Sequence, residues 1–472
     1  MDVQEADATS EAGRMPAENE PLPVFAAPTP WPQPKTSIYR YPMKEQNEWQ
    51  EITPCGPITA AVEVPGSKSI TQRALIAAAL AKGESILRGP LASEDTDYTT
   101  KALLAMGMVI DTGRDKWRIF GQGGRVAPPA TEIYLGNNGT ATRFLTSVAA
   151  LGRGIFLING DERMQQRPIE PLLQALRGWG VQIRSIQGTG CPPLEIQADG
   201  LAGGATVLPE GKSSQYLSSL LLVSPYARQP AELKVEGEVL SKPYVAMTLA
   251  VMRDFGIEAE AAPELNHFKI PQGIYQGREY RVEGDASSAS YFWAAAAVTG
   301  GKVTVTNVPS PSLQGDAVLV DILEQMGCRV ERDQAGISVA APDELRGVEV
   351  DMGDCPDVVP TLAVVAALAQ GRTRINNIAH LRIKECDRLG VMAAELAKLG
   401  VKTEEGPDYL VVEGRGRQHD YQGAEIATHN DHRIAMSFAV ASLAIPGIRI
   451  ENPGCVKKSF PDFWQRLESI LP

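Results

Sequence analysis

The segment GSKSITQRALIAAALAKG, residues 66–83, joins a short polar turn to a helix-forming run of alanine, leucine and isoleucine. Five later segments repeat this design, beginning 69 to 76 residues apart. They are GNNGTATRFLTSVAALGRG (136–154), GKSSQYLSSLLLVSPYA (211–227), GDASSASYFWAAAAVTGG (284–301), GDCPDVVPTLAVVAALAQG (353–371) and HNDHRIAMSFAVASLAIPG (429–447). Self-similarity at a fixed interval predicts six copies of one structural unit, each containing a buried helix of small residues.

A second marker recurs at nearly the same interval. Five amphipathic segments each end at a glycine that precedes an extended stretch, at Gly107, Gly180, Gly256, Gly327 and Gly400. Glycine just past a helix supplies the left-handed residue that ends it. A sixth such segment, FPDFWQRLESI (460–470), closes the chain. Each unit is therefore predicted to contain, in this order, a strand, a buried helix, a strand, an amphipathic helix and a strand. Six such α/β units could form a solenoid, one ring or two groups of three.

Composition excludes several classes of protein. The 472 residues carry 45 Lys and Arg against 57 Asp and Glu, a net charge of −12, which argues against a nucleic-acid-coating surface. No apolar run reaches the length of a membrane span, and the acidic N-terminus lacks the features of a signal or transit peptide. The six cysteines and five histidines show no metal-ligand spacing. We expect a cytoplasmic protein whose proline-rich, acidic residues 1–46 form a disordered tail.

The turns that precede the small-residue helices predict an anion site. Helix N-termini present unpaired N–H groups and a partial positive charge, and they bind phosphates and carboxylates readily. Several of these turns also carry cations, namely Lys68, Arg73, Arg143, Lys212 and Arg433. The alternative is that their Ser, Asn and Asp residues only cap the helices. Because capping does not require cations, their recurrence favours a strongly anion-binding cleft within an acidic protein.

Nine motifs resemble the 5-enolpyruvylshikimate-3-phosphate synthase family, in unbroken order over about residues 47–472. They are VPGSKSITQRALIAAALA (64–81), LGNNGTATRFL (135–145), DERMQQRPIEPL (161–172), GKSSQYLSSLLL (211–222), SKPYVAMTL (241–249), VEGDASSASYF (282–292), LRIKECDRL (381–389), NDHRIAMSFAV (430–440) and KKSFPDF (457–463). The chain shows no P-loop, GxSxG, HExxH or Rossmann motif that would support another enzyme class.

The resemblance implies a two-lobed α/β fold of six βαβαββ repeats, three around a pseudo-threefold axis in each lobe. Residues 47–66 and 284–472 would form one lobe and residues 67–283 the other, with the active site between them. The implied enzyme transfers the enolpyruvyl group of phosphoenolpyruvate to the 5-hydroxyl of shikimate 3-phosphate by addition and elimination, and releases phosphate. This step serves chorismate and aromatic amino acid biosynthesis and is the target of glyphosate. The resemblance implies no metal or organic cofactor, no nucleic-acid or membrane partner, and a monomer.

The family's functional residues carry over onto matching positions of this chain. Lys68 would contact both substrates. Shikimate 3-phosphate would also be held by Ser69, Arg73, Ser213, Ser214, Gln215, Ser241, Tyr244, Asp357 and Lys384. Phosphoenolpyruvate would be surrounded by Asn137, Gly139, Arg167, Gln215, Arg388, Arg433 and Lys458. Asp357 would accept the hydroxyl proton, and Glu385 would handle the proton at the methylene carbon, which predicts a raised pKa for Glu385.

Some positions depart from the family pattern, and two alternative functions stay open. His380 stands where some bacterial members have an Asn that contacts the shikimate phosphate, and Asn138 and Phe144 are also unusual. One alternative is UDP-N-acetylglucosamine enolpyruvyl transferase, which carries a reactive cysteine in the lobe where this chain has only Cys191. The other is a non-catalytic anion-binding scaffold, which would not need Asp357, Lys384 and Glu385 together.

Overall fold

The computed structural model describes residues 49–211, 213–334 and 336–472, so the predicted tail and Lys212 lie outside the described residues. Twelve α-helices and 23 strands follow one another along these ranges. The helices are α1 Lys68–Leu80, α2 Glu94–Ala105, α3 Gly139–Ala149, α4 Glu170–Gly178, α5 Ser214–Val223, α6 Lys242–Asp254, α7 Ala286–Thr299, α8 Leu319–Gln325, α9 Val359–Ala367, α10 Arg388–Lys398, α11 His432–Ser442 and α12 Phe463–Glu468. No helix of the described ranges is long and apolar enough to cross a membrane.

The strands are mostly three to seven residues long. They are β1 Trp49–Glu51, β2 Thr59–Val62, β3 Lys82–Arg88, β4 Val109–Thr112, β5 Lys116–Gln122, β6 Ile133–Tyr134, β7 Arg153–Asn159, β8 Gln182–Ser185, β9 Leu194–Asp199, β10 Gly204–Leu208, β11 Ala231–Val235, β12 Glu260–Ala261, β13 His267–Ile270, β14 Glu279–Arg281, β15 Lys302–Val305, β16 Arg329–Arg332, β17 Ile337–Ala340, β18 Glu349–Asp351, β19 Gln370–Asn376, β20 Lys402–Glu405, β21 Leu410–Arg415, β22 Glu425–Ile426 and β23 Arg449–Glu451.

Buried and amphipathic helices alternate along the chain as the repeat predicts. The odd-numbered helices are buried over almost their whole length, because their alanine and serine side chains let neighbouring elements pack closely on every side. The even-numbered helices keep one exposed face. Five of them end at the predicted glycines Gly107, Gly180, Gly256, Gly327 and Gly400, whose φ angles lie between 80° and 106°. This left-handed backbone confirms the predicted helix ends.

The strands of the described ranges form six small sheets that share one design. Each contains one parallel pair and at least one antiparallel pair. The sheet orders are β14-β3-β5-β4, β6-β7-β9-β8, β10-β11-β13-β12, β16-β17-β15-β2, β18-β19-β21-β20 and β1-β23-β22. In two sheets the parallel partner comes from far away in sequence: β14 joins β3, and β2 joins β15. These long-range pairs connect the repeats into closed groups.

Two separate hydrophobic cores result. One core contains Ile58, Val62 and Val64 together with residues between 286 and 470. The other contains buried residues between Ile70 and Val282. The two chain crossings run side by side, since the Ser67 N–H donates to the Glu283 carbonyl (2.8 Å) and the Asp285 N–H to the Pro65 carbonyl (2.8 Å). The predicted domain limits at these crossings stay a prediction. We call the first group core one and the second core two.

Candidate active site

A cleft lies where the segments that form core one and core two face each other. Its walls combine cations, carboxylates, hydroxyls and a single glycine. The lining residues are Lys68, Ser69, Arg73, Asp95, Gly139, Thr140, Arg167, Ser213, Ser214, Gln215, Ser241, Tyr244, Pro356, Asp357, His380, Lys384, Glu385, Arg388 and Arg433. Eleven of these 19 residues are the N-cap or stand in the first turn of a helix, namely α1, α3, α5, α6, α10 or α11. The buried helices α1, α3, α5 and α11 and the amphipathic helices α6 and α10 thus point their positive ends into one polar space.

Helix capping and the cationic lining occur together. The side chains of Ser67, Asn138, Asp285 and Asp431 accept hydrogen bonds from backbone N–H groups in the first turns of α1, α3, α7 and α11. Asp285 also accepts the N–H of Lys68 at 2.9 Å, so it joins the starts of α7 and α1. The capping explanation therefore holds for these four residues. It does not account for the cations beside them, which face the cleft.

Asp357 lies at the centre of a cationic group. Its Oδ2 accepts a hydrogen bond from Arg433 Nη2 at 2.6 Å, and its Oδ1 accepts one from Arg388 Nη1 at 3.1 Å. Burial alone would raise the pKa of Asp357, but Arg433, Lys384 and Arg388 outweigh burial and hold that pKa well below its usual range. The hydroxyl of Tyr244 lies 3.5 Å from Oδ2. Asp357 is therefore ionised over the whole physiological pH range.

Arg388 is shared among three carboxylates. Its side chain is 1% exposed, and its Nε donates to Asp431 at 2.7 Å while Nη2 donates to Glu385 at 2.9 Å and Nη1 to Asp357. Burial tends to raise the pKa of Glu385, but Arg388, Arg167 and Lys458 lower it well below its usual range. The raised pKa predicted for Glu385 is therefore wrong for this arrangement. Cations from three separate segments outweigh the desolvation on which that prediction rested.

Asp95 links lysines from both sides of the cleft. Its Oδ2 lies 3.3 Å from Lys68 Nζ, and its Oδ1 lies 3.2 Å from Lys458 Nζ. Lys458 also donates to the carbonyl of Asn137 at 2.7 Å. Burial alone would lower the pKa of Lys458. Asp95 and Glu385 outweigh burial, so the pKa of Lys458 lies above its usual value. Asp95 thus holds two predicted substrate-binding lysines close together and stabilises the charged form of Lys458.

Gly139 allows Arg167 to lie directly on the start of α3. A Cβ at Gly139 would sit 2.5 Å from Arg167 Nη2 and 2.8 Å from its Cζ. Arg167 Nη1 donates to Asn137 Oδ1 at 3.0 Å. The neighbouring Arg143 does not line the cleft, because its Nη2 donates to the carbonyl of Pro168 at 2.8 Å and thereby holds the loop that carries Arg167. Of the two arginines, only Arg167 lines the cleft.

The residues predicted for shikimate 3-phosphate all line the same cleft. They are Lys68, Ser69, Arg73, Ser213, Ser214, Gln215, Ser241, Tyr244, Asp357 and Lys384. Arg73 is 2% exposed and fixed by Thr248 (2.7 Å) and Ser218 (3.1 Å), and burial lowers its pKa to about 10. Burial likewise lowers the pKa of Lys384, although Asp357 opposes this. Arg73 is therefore still a cation at neutral pH.

The predicted phosphoenolpyruvate residues divide into two sets. Gly139, Arg167, Gln215, Arg388 and Arg433 line the cleft together with Lys68. Asn137 and Lys458 do not, and they are joined to it by the hydrogen bonds to Arg167 and Asp95 described above. The structure therefore places the predicted site residues in one cleft, with Asn137 and Lys458 directly behind its lining.

The match to known proteins decides between the enzyme families considered above. The profile of the family described as "EPSP synthase (3-phosphoshikimate 1-carboxyvinyltransferase)" matches residues 52–467. The chain belongs to the EPSP synthase family. The chain is thereby a transferase, and the family name specifies the shikimate-pathway reaction that leads to aromatic amino acids.

Individual relatives agree with this family assignment. The chain is 42% identical over 418 residues to the 3-phosphoshikimate 1-carboxyvinyltransferase of Nostoc punctiforme, covering 88% of this chain and 97% of that protein. It is 45% identical over 422 residues to the Methanosphaerula palustris protein of the same name, covering 89% and 98%. The structure of EPSP synthase from Acinetobacter baumannii superposes with a TM-score of 0.75 at 30% identity, over 89% and 97% of the two chains.

The fold class is confirmed by two solved structures. Besides the Acinetobacter EPSP synthase, the enolpyruvyl transferase NikO from Streptomyces tendae matches with a TM-score of 0.73 over 89% of this chain and 97% of that one. At 19% identity this second likeness concerns the fold alone. Together with the six sheets, it supports the two-lobed enolpyruvyl transferase architecture that the family resemblance implies.

Sequence reasoning missed Asp95 as an EPSP synthase cleft residue. Asp95 sits in LASEDTDY, where Ser93 caps α2 and acidic residues fill its first turn. That pattern is typical of an ordinary helix start, so it carried no signal of a functional carboxylate. The sequence pattern assigns no role to His380. It is 6% exposed and lines the cleft, and both of its ring nitrogens are buried without a hydrogen-bond partner. Burial lowers the pKa of His380 to about 3, so its ring is neutral.

Proposed function

We propose that this chain transfers the enolpyruvyl group of phosphoenolpyruvate to the 5-hydroxyl of shikimate 3-phosphate and releases inorganic phosphate. Its membership of the EPSP synthase family supplies the reaction class. The observation that carries the residue assignment is the position of Asp357, a buried carboxylate hydrogen-bonded to Arg388 and Arg433 inside a cleft lined by the starts of several helices. Such a site fits two anions and keeps a base between them.

The two ends of the cleft suit different anions. Hydroxyl and amide groups from α5, with Lys68 and Arg73, present hydrogen-bond donors to shikimate 3-phosphate. At the other end, Arg167, Arg388 and Arg433 present guanidinium groups to the carboxylate and phosphate of phosphoenolpyruvate. Guanidinium groups bind such oxyanions in pairs of parallel hydrogen bonds and so fix their orientation. Gln215, which donates to Thr140 at 3.2 Å, would contact both ligands.

Substrate binding raises the pKa values of the carboxyl groups of Asp357 and Glu385. In the structure the cations lower the pKa of Asp357 and of Glu385. When the anionic substrates neutralise Arg388, Arg433 and Arg167, the lowering effect declines while burial persists, so both pKa values rise. Asp357 then gains basicity towards the 5-hydroxyl proton, and Glu385 can hold the proton that is delivered to the methylene carbon. Lys68 stabilises the charge that develops on the tetrahedral phosphate intermediate.

Core one and core two correspond to lobes formed by residues 47–66 with 284–472 and by residues 67–283. The long-range strand pairs β2 with β15 and β14 with β3 support these limits. We place the enzyme in the cytoplasm as a monomer that needs no cofactor, as the family resemblance implies.

A coupled phosphate-release assay tests the function. Wild-type protein should release phosphate only when both phosphoenolpyruvate and shikimate 3-phosphate are present. Asp357→Asn keeps the size of the side chain but removes the base, and should lower kcat by about 10²–10⁴-fold. Asp343→Asn serves as a control, because Asp343 is exposed and does not line the cleft. Absence of phosphate release by the wild type under saturating substrates would overturn the proposal.

The cysteine-dependent alternative has no support in the site. Cys191 is buried, and burial raises the pKa of its thiol above the usual value. A reactive cysteine instead needs a lowered pKa and access to the substrate. Cys191 does not line the cleft. UDP-N-acetylglucosamine should therefore not replace shikimate 3-phosphate in the same assay.

A further inference from the structure

A second buried carboxylate lies beside Asp357. Asp316 is 4% exposed and stands in the short 3-10 helix Gly315–Val318, outside the set of residues that line the cleft. A Cβ at Gly315 would sit 2.5 Å from the Cβ of Pro243, so the absence of a side chain there lets this turn lie against the start of α6. That close approach brings Asp316 next to Tyr244.

Tyr244 connects the two carboxylates. Its hydroxyl lies 3.2 Å from each oxygen of Asp316 and 3.5 Å from Oδ2 of Asp357. On its other side, Asp316 accepts a hydrogen bond from the hydroxyl of Ser287. A tyrosine hydroxyl can donate one hydrogen bond while it accepts another. The order Asp357, Tyr244, Asp316 is therefore a continuous path along which a proton can pass.

We propose that Asp316 receives, through Tyr244, the proton that Asp357 removes from the substrate hydroxyl. This inference rests on the proposed function. The substrate O–H bond breaks as an O–H bond forms on Asp357. The proton on Asp357 then passes to the oxygen of Tyr244, while the proton of Tyr244 passes to Asp316. No electron transfer and no other reactant is needed. Asp316 acts through two other residues and is a positioning residue.

The surrounding charges favour this direction of transfer. Burial and the nearby charge of Asp357 raise the pKa of Asp316 to about 6, although Arg433 and the Ser287 hydrogen bond oppose the rise. Arg433, Lys384 and Arg388 hold the pKa of Asp357 far lower. With Arg388 and Arg433 paired to Asp357 as in this structure, a proton is therefore more stable on Asp316 than on Asp357. The charged and titratable groups that face Asp316 are Asp285, Cys355, Asp357, Tyr244 and Arg433. At pH 7.5 Asp316 is ionised and can accept.

Three substitutions test the path from different sides. Asp316→Asn keeps the shape and removes the acceptor; Tyr244→Phe removes the connecting hydroxyl; Ser287→Ala removes the hydrogen bond that lowers the pKa of Asp316. The readout is kcat for phosphate release with both substrates saturating, from pH 5 to 9. The control is Glu395→Gln, which alters a buried carboxylate that contacts Lys398 and the Ala427 N–H, outside the cleft.

The wild type should lose kcat below about pH 6, as Asp316 becomes protonated. Asp316→Asn and Tyr244→Phe should each lower kcat at pH 7.5 by about tenfold or more and abolish this decline. Ser287→Ala should move the decline to higher pH, because it raises the pKa of Asp316. Glu395→Gln should leave the shape of the profile unchanged.

The outcomes separate this path from the proposed function. An inactive wild type would refute the function itself. An active wild type whose acidic decline persists in Asp316→Asn would refute the path alone. A loss of thermal stability in that variant with an unchanged pH profile would show that Asp316 has only a structural role. If Asp316→Asn does not fold, Ser287→Ala decides the question, since a decline that stays in place would also overturn the path.

Discussion

The substitution Lys68→Met tests whether Lys68 contributes more to catalysis than to the stability of the fold. Lys68 Nζ lies 3.3 Å from Asp95 Oδ2, and the lysine side chain is 14% exposed. Methionine has a similar length and no charge, so the first turn of α1 can keep its shape. The substitution removes one of the cations aimed at both substrates. We expect a folded protein that binds and turns over its substrates poorly.

The expected loss of stability is small because Asp95 has a second partner. At an effective dielectric constant of about 20, unit charges 3.3 Å apart attract by about 5 kcal/mol before desolvation is counted. Removing one partner of a buried pair costs about 3–5 kcal/mol when the other charge is left alone. Lys458 Nζ stays 3.2 Å from Asp95, so that charge is not left alone. We therefore expect the free energy of unfolding to fall by less than about 2 kcal/mol.

The expected loss of activity is much larger. A charge that stabilises a developing oxyanion contributes about 2.7–4 kcal/mol, so kcat/KM for phosphoenolpyruvate should fall by about 10²–10³-fold. Urea unfolding and steady-state phosphate release measure the two effects on one preparation. Lys101→Met is the matched control, because Lys101 lies on the exposed face of α2 and pairs with Asp97 away from the cleft. A folded Lys68→Met enzyme with kcat/KM near that of the wild type would refute this reasoning.

Three further perturbations follow from the structure. Gly139→Ala places a methyl group against the guanidinium of Arg167, so the phosphoenolpyruvate KM should rise and glyphosate inhibition should weaken more; equal losses for both ligands would contradict this. In the wild type the free energy of unfolding should fall by up to about 3 kcal/mol as pH rises from about 4 to 6, because the pKa of Asp316 is raised to about 6 on folding. Asp316→Asn should not show this fall. If urea unfolding gives wild-type and variant free energies that change with pH in parallel, this explanation is excluded. The Trp293 side chain is fully buried and donates a hydrogen bond to the Ile337 carbonyl. Trp293→Ala should therefore lower the free energy of unfolding by about 3–5 kcal/mol with little change in kcat. A lower kcat at a temperature where the variant is folded would contradict this.

The repeats made most of the fold predictable. The helix starts, the buried character of the odd-numbered helices and the glycine ends of five amphipathic helices all follow from local sequence, because each depends on backbone propensity and on burial of small side chains. The grouping into two cores does not follow from local sequence. It depends on the pairs β2 with β15 and β14 with β3, which join strands about 200 residues or more apart. The family resemblance supplied that step.

The sequence points to most of the cations that line the cleft and to Asp357 and Glu385, but not to the counter-charges Asp95 and Asp316. Cations at helix starts are informative because helix caps do not need them. Asp95 and Asp316 resemble ordinary polar residues of helix starts and turns, and only the docking of distant segments places them next to Lys68 and Tyr244. The direction of the pKa shift of Glu385 was also beyond the sequence. It depends on how many cations converge on one carboxylate, which burial alone does not determine.

The distribution of counter-charges explains how an acidic chain maintains a cationic cleft. Arg388 contacts Glu385, Asp357 and Asp431, so cations and carboxylates neutralise one another where they are buried. A bound anion must therefore compete with these carboxylates for the same guanidinium hydrogen bonds. We infer that substrate binding and acid–base chemistry are coupled through this competition. Each cation that turns to a substrate oxygen lowers the stabilisation of one carboxylate anion and so raises its pKa. The base and the acid then gain their reactivity only when the anionic groups of the substrates occupy the cleft.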